Sequence, residues 1–98
     1  MTTKVVNLRR AYYDVYVGRA GKGENGYFGN PCKAKAGETR EDSIEKFEVY
    51  FLERVQSDRE FRNRVLRLRG KTLGCFCKPS ACHADVIAAW VDAQFEDL

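Results

Sequence analysis

The sequence predicts a small single α/β domain over residues 1–98, a Rossmann-like fragment in which a mixed sheet of about three strands carries about three helices. Three observations predict it. Short β-branched runs open the chain, apolar residues recur at helical spacing through its middle, and a final strand-like segment passes through a tight turn into an amphipathic helix. With 98 residues the chain can bury one core but not two, so a single site is expected.

Val5-Val6-Asn7-Leu8 is short and β-branched, and Tyr12 to Val17 sets Tyr13, Val15 and Val17 against Asp14 and Tyr16. Both read as strands, and Arg9, Arg10 and Ala11 between them suit an antiparallel hairpin. From Gly18 to Gly37 the glycines at 18, 21, 23, 26, 29 and 37, with Pro31, mark a long structured loop, a feature that is often functional in compact domains. Thr39 or Asp42 can cap a helix whose stripe is Ile44, Phe47, Phe51 and Val55, widened by Leu52. Ser57 and Glu60 have capping-box spacing for a shorter helix that carries Phe61, Val65 and Leu68 and stops before Gly70. Lys71 to Cys77 reads as a buried strand that pairs in parallel with one of the first two. Pro79 ends it, Ser80 caps the last helix, and Val86, Ile87, Trp90 and Ala93 form that helix's inner face.

Composition narrows the functional classes. Charged residues make up 32% and hydrophobic ones 44%, the balance of a globular chain, and the net charge of +3 is too mild to diagnose nucleic-acid binding. No apolar run is long enough to span a bilayer, and Met1-Thr2-Thr3-Lys4-Val5 lacks the apolar segment of a signal peptide, so a cytoplasmic protein without membrane partners is expected. In that compartment four cysteines, three of them clustered beside the single histidine, point to thiol or metal chemistry rather than structural disulfides.

The chemistry is placed in Leu73-Gly74-Cys75-Phe76-Cys77-Lys78-Pro79-Ser80-Ala81-Cys82-His83. Strand alternation puts Cys75 and Cys77 on one face. A Ser80 cap puts Cys82 near the second helical residue, where free N–H groups and the helix dipole favour a thiolate, so Cys82 is the candidate nucleophile and His83 its candidate partner. Cys75, Cys77, Cys82 and His83 are also zinc-ligand types, with Cys32 as a further donor, although Cys-x-Cys is tighter than the usual knuckle spacing. Against both readings stands ordinary burial of small thiols and a core or capping histidine.

The loop fragment 21–26 matches G-x-G-x-x-G, but no helix follows it and the dinucleotide fingerprint fails. What survives is a glycine-rich loop with Arg19, Gly21 and Lys22 that can cradle an anion, with Asn30 at its exit. Tyr12, Tyr16 and Tyr27 have rings suited to stacking a base, against the commoner role of aromatics as sheet surface. The arginines at 59, 62, 64, 67 and 69 read first as a solvated face, diluted by Glu53, Asp58 and Glu60.

Val5-Val6-Asn7-Leu8-Arg9, Val17-Gly18-Arg19, Phe28-Gly29-Asn30-Pro31 and Leu73 to Pro79 followed by Cys82-His83 together resemble domain of unknown function family 4326, seen mainly in bacteriophages and bacteria. The likeness covers nearly the whole chain and implies a phage-type protein, in the host cytoplasm if phage-encoded, without implying an activity. In that family an aromatic often follows the Asn-Pro pair, where this chain has Cys32. A looser likeness joins the Cys/His cluster to small Rossmann-like proteins with a Cys-His-Arg helix start, in which Ala84 here replaces the Arg.

Two functions are therefore expected. The first is a pocket for a nucleotide or other phosphate-bearing small molecule, lined by Arg19, Gly21, Lys22, Asn30, Lys78 and Ser80, which either sequesters its ligand or acts on it as a Cys-dependent hydrolase or transferase. The second is a zinc-stabilised module whose outer face binds a host protein or nucleic acid.

Overall fold

The computed structural model describes residues 2–19, 26–32 and 35–95. Strands β1 (Lys4–Asn7), β2 (Val15–Tyr16) and β3 (Thr72–Cys75) form one sheet in the order β1-β3-β2, and helices α1 (Arg40–Ser57), α2 (Arg59–Leu66) and α3 (His83–Gln94) complete the domain. No helix among the described residues is long and apolar enough to cross a membrane.

The α/β class holds, but the sheet is wholly parallel rather than mixed: Val5 and Val15 both pair with Leu73, in the same direction. The hairpin of the first two strands does not form, because β3 lies between them. Residues 8–14 instead return the chain across β3, a connection shorter than the usual parallel crossover. Two features permit it. β2 has only two residues, so the chain backs up little, and Gly74 leaves room for the Tyr13 ring. Tyr12, expected in the strand, is left 84% exposed on this connection.

Alternation along β3 sends Leu73 and Cys75 into the helical core and Gly74 to the opposite face. Phe47, Phe51 and Val55 of α1, Phe61 and Val65 of α2 and Ile87 of α3 bury the stripes read from the sequence. Leu52 and Ala93 do not join them. Leu52 is 40% exposed and Ala93 lies on the outer face, whereas Ala88 and Val91 turn inward, because α3 packs on β1 as well as on α1 and α2.

Thr39 and Asp42 form a reciprocal capping box, as their spacing predicts. The other two starts shift. α1 runs on through Ser57, so Asp58 rather than Ser57 caps α2, accepting the Phe61 N–H at 3.0 Å. Cys82 rather than Ser80 is the N-cap of α3, since Ser80 donates its N–H to Cys77 O at 2.8 Å and is spent in the turn. At the amino edge, Asp92 accepts from the Thr3 main chain and hydroxyl while that hydroxyl accepts the Gly70 N–H, so one polar knot joins β1, α3 and the α2–β3 turn.

A Cβ placed on Gly74 would sit 2.6 Å from Tyr13 Cγ. Gly74→Ala is therefore expected to destabilise the domain by about 1–3 kcal/mol through overpacking, with much of the loss relieved in the Gly74→Ala/Tyr13→Ala double variant. Chemical denaturation of the four proteins checks this, and additive effects would show that Tyr13 does not lie over Gly74.

Candidate functional site

All three strands point their carboxyl ends to one edge, where ligands of open α/β sheets bind. At this edge β1 ends at Asn7, β2 runs into Val17-Gly18-Arg19, and β3 leads through Phe76–Ser80 into α3. Asn7 ties the exit of β1 to the turn after β3, its amide donating to Lys78 O at 2.7 Å and its oxygen accepting the Arg9 N–H at 2.9 Å. The Lys78–Pro79 peptide is cis.

His83 fastens β2 to α3. Its Nε2–H donates to Val17 O at 2.7 Å, and Phe47 packs edge-on against it. Burial pushes its pKa below the ordinary value, outweighing the bond to the Val17 carbonyl. The ring is thus neutral, and its Nδ1 stands 3.8 Å from Cys82 Sγ.

Cys75 at the end of β3 and Cys82 at the start of α3 lie Sγ to Sγ at 3.0 Å, both buried. The Cys82 thiol donates to Cys75 and, with the main-chain N–H groups of Cys77 and Lys78, draws the Cys75 pKa down to about 6 despite burial. The same hydrogen bond pushes Cys82 upward, burial adds to this, and the Ala84 N–H at the helix start does not offset them. The hydrogen bond has Cys82 as donor and Cys75 as acceptor, so it favours ionisation at Cys75 over Cys82, the opposite of the order read from the sequence. The dipole argument failed because Cys82 is an N-cap facing a second thiol, not a lone thiol inside the first turn. Asp85 completes this corner by accepting the Cys82 N–H at 3.3 Å and pairing with Lys78 at 2.8 Å, which raises the lysine's pKa.

The remaining predicted residues divide. Arg19 lies at the edge, exposed, with Nε–H donating to Asn30 O at 3.2 Å. Asn30 is a loop organiser rather than a free ligand contact. Its amide donates to Ser43 Oγ, its oxygen accepts the Cys32 N–H, and the Ser43 hydroxyl closes the ring onto Cys32 O. Gly29 lets the loop press on β2's exit, since a Cβ there would be 2.6 Å from Gly18 O. Gly21 and Lys22 lie outside the described residues. Cys75, Cys77, Cys82 and His83 do not assemble as the expected zinc set: among the described residues no group of three or more His, Cys, Asp or Glu can hold a metal ion. β3 ends at Cys75, so strand alternation does not carry Cys77 onto the same face, and His83 spends Nε2 on Val17. Asn7 and Asp85 were missed as site-forming residues; Asp85, three positions after Cys82, carries a capping-box spacing that marks it in the sequence.

Two outcomes follow. The native protein should show one thiol ionising near pH 6, lost in Cys75→Ser and moved upward in Cys82→Ala, as read by ultraviolet thiolate absorbance. A titration in which Cys82→Ala leaves that step in place would contradict the pairing. Stability should also follow pH. The Cys75 contribution is complete above its unfolded pKa of 9.0 and fades as pH falls toward about 6. His83, buried neutral, adds a further loss below 6.5, because the unfolded chain takes up that proton more readily. Denaturation midpoints should fall accordingly, with the acid limb shallower in His83→Gln.

Residues 2–93 match the family described as Domain of unknown function (DUF4326). An "Uncharacterized 12.4 kDa protein in nrdA-td intergenic region" of Enterobacteria phage T4 is similar to the chain, 37% identical over 94 residues that cover 96% of this chain and 82% of the phage protein. No solved structure matches. The Asn7, Phe28-Gly29-Asn30 and Cys75-to-His83 segments that build the carboxyl edge all fall inside the matched span, and the chain belongs to the DUF4326 family.

Proposed function

We propose that this chain binds a phosphate-bearing small molecule of the nucleotide class at the carboxyl edge of its sheet. The observation that carries the reading is the parallel pairing of β2 with β3, locked by the His83–Val17 hydrogen bond, which sets Arg19 and the Phe76–Ser80 turn on one edge. Main-chain N–H groups of Cys77 and Lys78 converge on the Cys75 sulfur and the Lys78 ammonium stands at the same turn, so the turn is the donor-rich side of this edge. Arg19, Lys78 and Ser80 form the rim, and Gly21 and Lys22, outside the described residues, follow β2 in the sequence. Gly29 and Asn30 hold the end of the glycine-rich loop against β2.

The Cys75 and Cys82 thiols are buried, at 1% and 2% exposure, so binding comes before chemistry in this reading. Its enzymatic form assigns the attacking sulfur to Cys75 and the proton donor to Cys82, with His83 as the residue that positions them.

Isothermal calorimetry with nucleoside mono-, di- and triphosphates and inorganic phosphate tests it. Arg19→Gln and Lys78→Gln are each expected to weaken binding about tenfold, the loss of one charge-assisted hydrogen bond. Asn30→Asp should act on folding rather than on affinity. If none of these ligands binds, or both rim variants bind like the parent protein, the reading is wrong. Turnover by the parent but not by Cys75→Ser would mark an enzyme rather than a sequestering protein.

A further inference from the structure

The arginines of the α2 region do not form one uniform solvated face. Residues 59–69 hold five arginines against one glutamate. Three of the five are engaged: Arg62 lies over the Trp90 ring at 5.4 Å, Arg69 over Phe95 at 4.1 Å, and Arg64 over Tyr27 at 4.6 Å while pairing with Glu60 at 2.8 Å. Arg59 and Arg67 have no side-chain partner among the described residues. Both are exposed, and with Asn63 they stand at i, i+4 and i+8, one row along the helix.

That row borders an open groove of about 480 Å³ lined by Arg59, Glu60, Asn63, Arg64 and Arg67. Glu60 is neutralised by Arg64, so the groove's unspent charge is the two guanidinium forks, about 12 Å apart along the helix axis. Such forks match phosphate bidentately, and the Asn63 amide offers both a donor and an acceptor between them. Because both forks and the amide stand in one row of one short helix, they present a single line of phosphate contacts, the pattern one strand offers.

We infer that the outer face of α2 docks single-stranded nucleic acid, its phosphodiester chain lying along this groove with phosphates on Arg59 and Arg67. The surface is separate from the sheet edge and carries its own test. Fluorescence anisotropy with a labelled single-stranded oligonucleotide, over a series of salt concentrations, should show binding that weakens as salt rises. Arg59→Gln/Arg67→Gln, both exposed and replaced by a good helix former, should lose tenfold or more at low salt and reduce the salt slope by about 1.4, the share of two phosphates on a single strand. Glu60→Gln, which frees Arg64 and removes the groove's one negative charge, should tighten binding. Arg10→Gln, in the β1–β2 connection away from α2, should bind as the parent does. The inference is overturned if the oligonucleotide does not bind, if the double variant binds as the parent does, or if duplex or polyglutamate binds as tightly. Mononucleotide binding at the sheet edge should be unchanged in the double variant, which keeps this outcome separate from that of the proposed pocket.

Discussion

The hydrogen bond from His83 to the Val17 carbonyl is the constraint on which the carboxyl edge depends. β2 is only two residues long, and its flanks are tied to β3 by Asp14 N–H to Thr72 O, Thr72 N–H to the Asp14 carboxylate and Val17 N–H to Gly74 O. A buried imidazole at the start of α3 adds a tie that joins β2's exit to a helix. A buried donor left unpaired would cost about 1–3 kcal/mol, so ring and carbonyl hold one another in place. The ladder with β3 sets the register of β2, and this contact fixes the exit of β2 against the start of α3.

Beneath that anchor the two thiols are unequal partners in one hydrogen bond. Cys75 receives three donors, from Cys82, Cys77 and Lys78, whereas Cys82 is itself a donor to Cys75. Burial raises both thiols, so the difference between them comes from hydrogen-bond direction and not from solvent access. Lys78 and Asp85 form an ion pair beside them, which raises the lysine's pKa. The edge thereby sets N–H donors and a cation around the Cys75 sulfur.

On the opposite side of the helical layer, aromatic rings sort the arginines. Trp90, Phe95 and Tyr27 each take a guanidinium, and Arg54 lies 3.9 Å over Phe61 while donating to Tyr50. These side chains cover apolar surface with their stems, a packing role that charge counting does not reveal. The two that find no ring are the ones with charge available to a partner.

The sequence alone was enough for the α/β class, the three helices and most of their buried stripes, because Phe47, Phe51, Val55, Phe61 and Val65 recur at a period that only a helix satisfies. It also singled out the Cys/His turn, a local signal, which the sheet brings to its carboxyl edge. Tertiary structure decided what depends on partners distant in the chain. Strand order was hidden because a short link between β-branched runs reads as a hairpin, whereas the two-residue β2 and the close approach of Tyr13 to Gly74 accommodate the crossover. The thiol ranking was hidden because Cys82 meets Cys75 in space, where one hydrogen bond outweighs a helix start. Asn30 looked free in the sequence and is spent on Ser43, thirteen positions away. Periodicity is a property of neighbours along the chain, whereas proton affinity and side-chain availability are set by neighbours across it.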